Sequence, residues 1–156
     1  MQLCLVRMPT LIHRRVEDCQ RGRNPKTIAR VHSGWAVLGD VQFLPGYSLL
    51  LPDPVVVDVN AMAREQRETF LYEMSVIGDA LLSITDAYRI NYEILGNTEA
   101  ALHAHIFPRY QSEPERLRRI PVWSYDWENA PPFDATRDQA LMDKIANYLG
   151  EAGIVL

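Results

Sequence analysis

Cysteine, long apolar runs and blocks of one charge are all scarce in this chain. Its 156 residues include two cysteines, Cys4 and Cys19, without the close paired spacing of a zinc knuckle. They read as free thiols in a reducing, cytoplasmic setting. No apolar segment approaches the ~20 residues of a membrane span, and Met1-Gln2-Leu3-Cys4-Leu5-Val6-Arg7 is too short an apolar run for an export signal. Net charge is −4 with no basic block, which argues against general nucleic-acid binding. Hydrophobic content of 47% and charged content of 23% fit a globular protein, most economically a single domain over residues 1–156. Internal repeats and low-complexity segments are absent too.

Histidine is equally rare, and it is concentrated. Two of the four histidines fall in Leu102-His103-Ala104-His105-Ile106-Phe107-Pro108-Arg109-Tyr110. In an extended strand alternate side chains share a face, so His103 and His105 point one way while Leu102, Ala104 and Ile106 point the other. Two imidazoles side by side need partners for their ring nitrogens, so the pair is either a satisfied polar cluster or a working site. Pro108, lacking an N–H, is expected to end the strand.

The rest of the chain reads as an α+β domain. Residues 10–21 form a short helix around Leu11, Ile12, Val16 and Cys19, ended by Asn24-Pro25. Residues 35–38 and 47–51 are strands. Phe70, Met74, Ile77, Leu81 and Ile84 make one apolar stripe on a helix over about 61–84, with Asn60 as its N-cap. Residues 88–110 form a hairpin whose polar positions Arg89, Asn91 and Glu93 share a side. An ordered loop over 116–133 precedes a last helix capped by Asp134, with Leu141, Ile145 and Tyr148 inward and Gly150 at its end.

The run Gly96-Asn97-Thr98-Glu99-Ala100-Ala101-Leu102-His103-Ala104-His105-Ile106-Phe107-Pro108-Arg109 resembles the signature of the histidine-triad superfamily. In that signature a Gly-Gln-Ser/Thr turn precedes His-x-His-x-His. His103 and His105 match the second and third histidines, and Ala101 replaces the first. Gly46-Tyr47-Ser48-Leu49-Leu50-Leu51-Pro52 resembles the family's Gly-His-x-Leu-Val-x-Pro strand, with Tyr47 in place of histidine. Pro52-x-Pro54 and Thr98 look most like the branch that cleaves dinucleoside polyphosphates. The resemblance spans roughly residues 35–110.

It implies a fold with an antiparallel sheet and helices packed on one face. It also implies a nucleotide phosphoanhydride hydrolase or nucleotidyl transferase working through a nucleotidyl-histidine. His103 is then the nucleophile, with its other ring nitrogen held by the Ala101 carbonyl, and His105 assists at the phosphate or leaving group. Asn97 and Thr98 are expected as phosphate donors, Asp40 and Asn91 as nucleotide contacts, and Arg109 as an offset to phosphate charge. A plain hairpin turn at 96–98, a turn aspartate at 40 and an outward arginine at 109 are the alternatives. Trp123 and Trp127 either cover a base or pin their loop to the body. No cofactor is required, although Mg²⁺ accompanies polyphosphate substrates, and the family implies a homodimer.

Two other readings compete. In one, the Ala101 and Tyr47 replacements mark a nucleotide-binding protein with impaired catalysis. In the other, His103 and His105 are metal ligands in a metal-dependent hydrolase, completed by Glu93 or His32.

Overall fold

The computed structural model describes residues 9–156, so Cys4 and the extreme N-terminal run lie outside the described residues. Helix α1 (Leu11–Gln20) starts at Thr10, whose hydroxyl accepts from the His13 amide while its own amide donates to His13 Nδ1. Ile12, Val16 and Cys19 are its buried face. It stops before Gly22, which adopts a positive φ of 65°, rather than at Asn24-Pro25.

Strands β1 (Thr27–Val31), β2 (Gly34–Leu38), β3 (Ser48–Pro52), β4 (Arg89–Glu93) and β5 (Ala104–Arg109) form one antiparallel sheet in the order β1-β2-β3-β5-β4. The first of these was not anticipated from sequence. Thr27-Ile28-Ala29-Arg30-Val31 alternates weakly, and pairing with β2 supplies what local pattern lacks. Pro108 lies inside β5, opposite Ile90. Pairing of β5 with β3 has already ended at Ile106, so the missing N–H falls where the strand has one neighbour instead of two.

Helix α2 (Arg64–Ile84) begins later than the sequence suggests. Its N-cap is Ala63, not Asn60, with the Ala63 amide donating to Gln66 Oε1 at 3.3 Å, while Asp58 caps a preceding 3₁₀ turn (Val59–Ala61) by accepting from the Ala61 amide at 2.8 Å. Phe70, Ile77 and Leu81 are buried against the sheet, with Met74 and Ile84 packed beside them. A short helix α3 (Glu115–Arg118) and a 3₁₀ turn (Val122–Ser124) interrupt the loop at 111–133. The last helix, α4 (Ala135–Glu151), is capped by Asp134 and ends at Gly153 (φ 74°), two residues past its final turn, while Gly150 lies within it. Met142, Ile145 and Leu149 form its buried stripe, flanked by Leu141 and Tyr148.

The pleat sorts the sheet into two cores. Leu50, Ala104 and Ile106 face α2 and α4, while Leu49, Leu51 and Phe107 face the other side. Helices do not cover one face alone: α1 lies over the second face, together with the loop carrying Val122, Tyr125 and Trp127. Glu73, 1% exposed on α2, accepts from the amides of His32 (2.9 Å) and Ser33 (2.8 Å) and so clamps the β1–β2 turn. Ile77 is fully buried between α2 and the sheet. Ile77→Ala is expected to cost roughly 2–5 kcal/mol, read from urea unfolding.

Candidate active site

The two histidines meet on the second face, beneath α1. Their ring centroids are 4.9 Å apart, with planes crossed at 72°. His103 sits just ahead of β5 and His105 within it, directly across from Leu49 of β3 and Glu93 of β4.

Each ring is held through Nδ1, by partners of opposite kind. His103 Nδ1 lies 2.8 Å from the Ala101 carbonyl oxygen. A carbonyl can only accept, so Nδ1 carries a proton, and in the neutral ring the lone pair is then on Nε2. His105 Nδ1 lies 2.7 Å from the Tyr47 hydroxyl. Tyr47 is 4% exposed and stacked on Phe107 at 4.2 Å, and among the described residues its hydroxyl has no other partner. Were it to accept from His105, its own buried proton would be left unpaired at a cost of about 1–3 kcal/mol. It therefore donates to Nδ1, and the His105 proton resides on Nε2. Two adjacent imidazoles are thus set as complements, one presenting a lone pair and the other an N–H.

Electrostatics keep His105 neutral. Burial, then the neighbouring His103, then Arg15 push His105 down to about 4. Burial likewise pushes the Tyr47 phenol well up, so it stays a hydroxyl. Gly39 makes room for that phenol, because a Cβ there would fall 2.3 Å from the ring.

Both histidines line a cavity of about 240 Å³, closed by Tyr47 and Trp127 and, from α1, by Ile12 and Arg15. Asp40 borders it as well, but its carboxylate is engaged by cations: Oδ1 accepts from Lys26 Nζ at 2.6 Å and Oδ2 from Arg15. Burial works to raise the Asp40 pKa, and the Lys26 and Arg15 contacts outweigh it and hold the carboxyl below its usual range.

Other expected site residues lie elsewhere. Asn97 and Thr98 are exposed and do not line the cavity. Glu99 takes the inward position of that turn, its Oε2 accepting from the Leu11 amide of α1 at 3.1 Å. Asn91 and Arg109 meet each other at 2.6 Å instead of meeting the histidines. Arg109 is 3% exposed, and its five N–H groups go to Glu113, Asn91 and the carbonyls of Leu117 and Ile120. Glu113 also accepts from the Tyr110 amide (2.6 Å) and the Tyr125 hydroxyl (2.5 Å). Arg109 therefore pins the 111–133 loop and has no donor left for a phosphate. That loop stacks Trp123 on Trp127 at 5.0 Å and sets Trp123 edge-on to His105 at 5.3 Å. His32 stands apart, with Nδ1 3.1 Å from Glu73, and so cannot join the histidine pair. Among the described residues no three His, Cys, Asp or Glu side chains gather as a metal site.

Glu99, Arg15 and Lys26 were not anticipated as neighbours of the site. Arg15 and Lys26 lie before the motif region, and nothing local in sequence ties α1 to the histidine strand.

No family model and no curated protein matches the chain. Solved structures do. A histidine triad protein from Marinobacter aquaeolei VT8 aligns with a TM-score of 0.70 at 21% identity, over 80% of this chain and 88% of that one. A histidine triad protein from Bradyrhizobium japonicum aligns at 0.69 and 24% identity, over 78% and 88%. A hypothetical histidine triad nucleotide-binding protein from Sulfolobus tokodaii strain7 aligns at 0.68 and 11% identity, over 87% and 91%. The chain has the histidine-triad fold.

Nitrogen-15 NMR of the imidazoles should show His103 protonated on Nδ1 and His105 on Nε2, and Tyr47→Phe should scramble the His105 tautomer alone. A histidine whose folded pKa lies below its unfolded value of 6.5 contributes stability that is complete above that value. Stability is therefore expected to fall as pH drops from 6.5 to about 4, with a shallower slope in His105→Gln, measured by urea unfolding across that window.

Proposed function

We propose that this chain is a nucleotidyl hydrolase or transferase of the histidine-triad type, cleaving the phosphoanhydride of a nucleotide such as a dinucleoside polyphosphate. The observation that carries this reading is the His103 Nδ1–Ala101 carbonyl bond, which orients the ring so that Nε2 is the nitrogen left to act as nucleophile on the cavity. The Nε2 lone pair forms an N–P bond to the α-phosphorus, the anhydride P–O bond breaks, and the leaving phosphate takes the electron pair. Water then forms a P–O bond, the P–N pair returns to Nε2, and the water's proton goes to solvent. Two easier displacements replace one hard one.

The His105 Nε2–H donates a hydrogen bond to the developing negative charge. Its pKa of about 4 makes it a poor general acid near neutral pH. Leaving groups that depart as stable anions, such as phosphates, suit this arrangement better than amines, which must be protonated. That favours an anhydride over a phosphoramidate. Replacement of the first histidine by Ala101 is compatible with the scheme, since the part needed there is a backbone carbonyl. A polyphosphate substrate carrying Mg²⁺ and a homodimeric, cytoplasmic protein belong to the same reading.

The test uses adenosine 5′-(p-nitrophenyl phosphate), whose release of p-nitrophenolate is followed by absorbance. Acid-labile AMP on His103 is sought by mass spectrometry of rapidly quenched protein. His103→Ala is expected to lose adduct and to slow turnover at least about a thousandfold, with thermal stability close to that of the parent. Nucleotide binding with neither adduct nor turnover in the parent would instead identify the catalytically impaired binder.

A further inference from the structure

We propose that Arg15, on α1, is the side chain that binds the phosphate oxygens of the substrate at His103, and that Asp40 holds it in place until substrate arrives. The inference rests on reading the histidine pair as a nucleotidyl acceptor, and it names the anion-binding part of that site.

A phosphoanhydride brings several negative charges to a cavity that Asp40 and Glu99 also line, so a cation is needed. Arg109 cannot serve, because all its donors are committed to Glu113, Asn91 and two carbonyls. Among the side chains lining the cavity, Arg15 is the one lysine or arginine. It is 22% exposed, and among the described residues its one side-chain partner is Asp40, through Nη2. Among the described residues its remaining N–H groups meet no acceptor, and a guanidinium fork matches two phosphate oxygens.

The surrounding charges support this assignment. Lys26 and Arg15 share the single carboxylate of Asp40, so one positive charge at that corner is uncompensated. The other ionisable groups near the histidines are acidic: Glu99, tied to the Leu11 amide, and Glu93, across the ladder from His105. Without Arg15, an arriving phosphate would face Asp40 and Glu99 with no cation lining the cavity. The field of Arg15 already reaches the pair, since it is one of the causes of the low His105 pKa.

Affinity for AMP, measured by calorimetry at several salt concentrations, tests the assignment in the 156-residue chain. Arg15→Met keeps the aliphatic stem and is expected to weaken AMP binding roughly tenfold to a hundredfold, with a flatter salt dependence. Arg15→Lys should recover part of the loss, as a point charge without the fork. With the p-nitrophenyl ester the Arg15→Met defect should appear mainly in KM. Asp40→Asn should bind AMP at least as tightly as the parent, the opposite sign.

Unchanged AMP affinity in Arg15→Met, or equal losses in Arg15→Met and Asp40→Asn, overturns the assignment. If the parent forms the His103 adduct and Arg15→Met forms it with the same kcat/KM, Arg15 is excluded while the nucleotidyl-histidine stands. If the parent forms no adduct yet AMP affinity still depends on Arg15, the anion site stands and the catalytic reading falls. A parent that binds neither AMP nor inorganic pyrophosphate refutes the anion site.

Discussion

One backbone carbonyl sets the geometry of the histidine pair. The Ala101 oxygen holds His103 Nδ1, and with it fixes which ring nitrogen is left without a backbone partner. That carbonyl is held by its own chain on both sides: the Ala101 amide donates to Glu99 O and the Leu102 amide to Val56 O, each at 2.8 Å. Ala101 and Leu102 are each 1% exposed, packed into opposite cores, so the peptide between them has little freedom to turn. A side chain at position 101 is therefore not what the neighbouring histidine needs. The same reasoning applies at Tyr47, where a hydroxyl does for His105 what any donor of suitable reach would do. Each Nδ1 thus has a partner fixed by the fold, a carbonyl at position 101 and a hydroxyl at position 47.

The second constraint is the cover over the sheet's second face, which polar attachments at both of its parts help to hold. The Leu11 amide to Glu99 joins α1 to the histidine turn, and the Arg109–Glu113 pair joins the C-terminal loop to β5. The Arg109–Glu113 pair is nearly free of solvent, at 3% and 4% exposure, and every remaining donor of Arg109 is satisfied. Breaking it would leave an uncompensated buried charge, so the loop has no inexpensive alternative position. Its aromatic residues, Trp123 and Trp127, are placed against His105 and the cavity as a consequence. Of the two sequence readings of these tryptophans, pinning the loop is what their packing shows, and Trp127 also walls the site.

Much of this could be read from local pattern. The apolar stripe of α2, the hairpin at 88–110 and the alternation that puts His103 and His105 on one face are properties of neighbouring residues, and period alone reports them. The carbonyl acceptor at position 101 is equally local, two residues from its donor. What local pattern could not show was where polar groups spend their hydrogen bonds. Arg109 looks free in a linear chain, and so does Asp40, until the partners that consume their donors and acceptors arrive from positions far away or across a loop. Asn97 and Thr98 lost the inward place to Glu99 because an amide from α1, 88 residues distant in sequence, was there to meet a carboxylate. Strand β1 escaped notice for a related reason, its weak alternation being completed by β2. The chain by itself determined which side chains could do chemistry and which way the histidines face, because periodicity is set residue by residue. Tertiary structure decided which charged groups remain unspent at the site, because a hydrogen-bond donor can be committed only once its partner is folded against it.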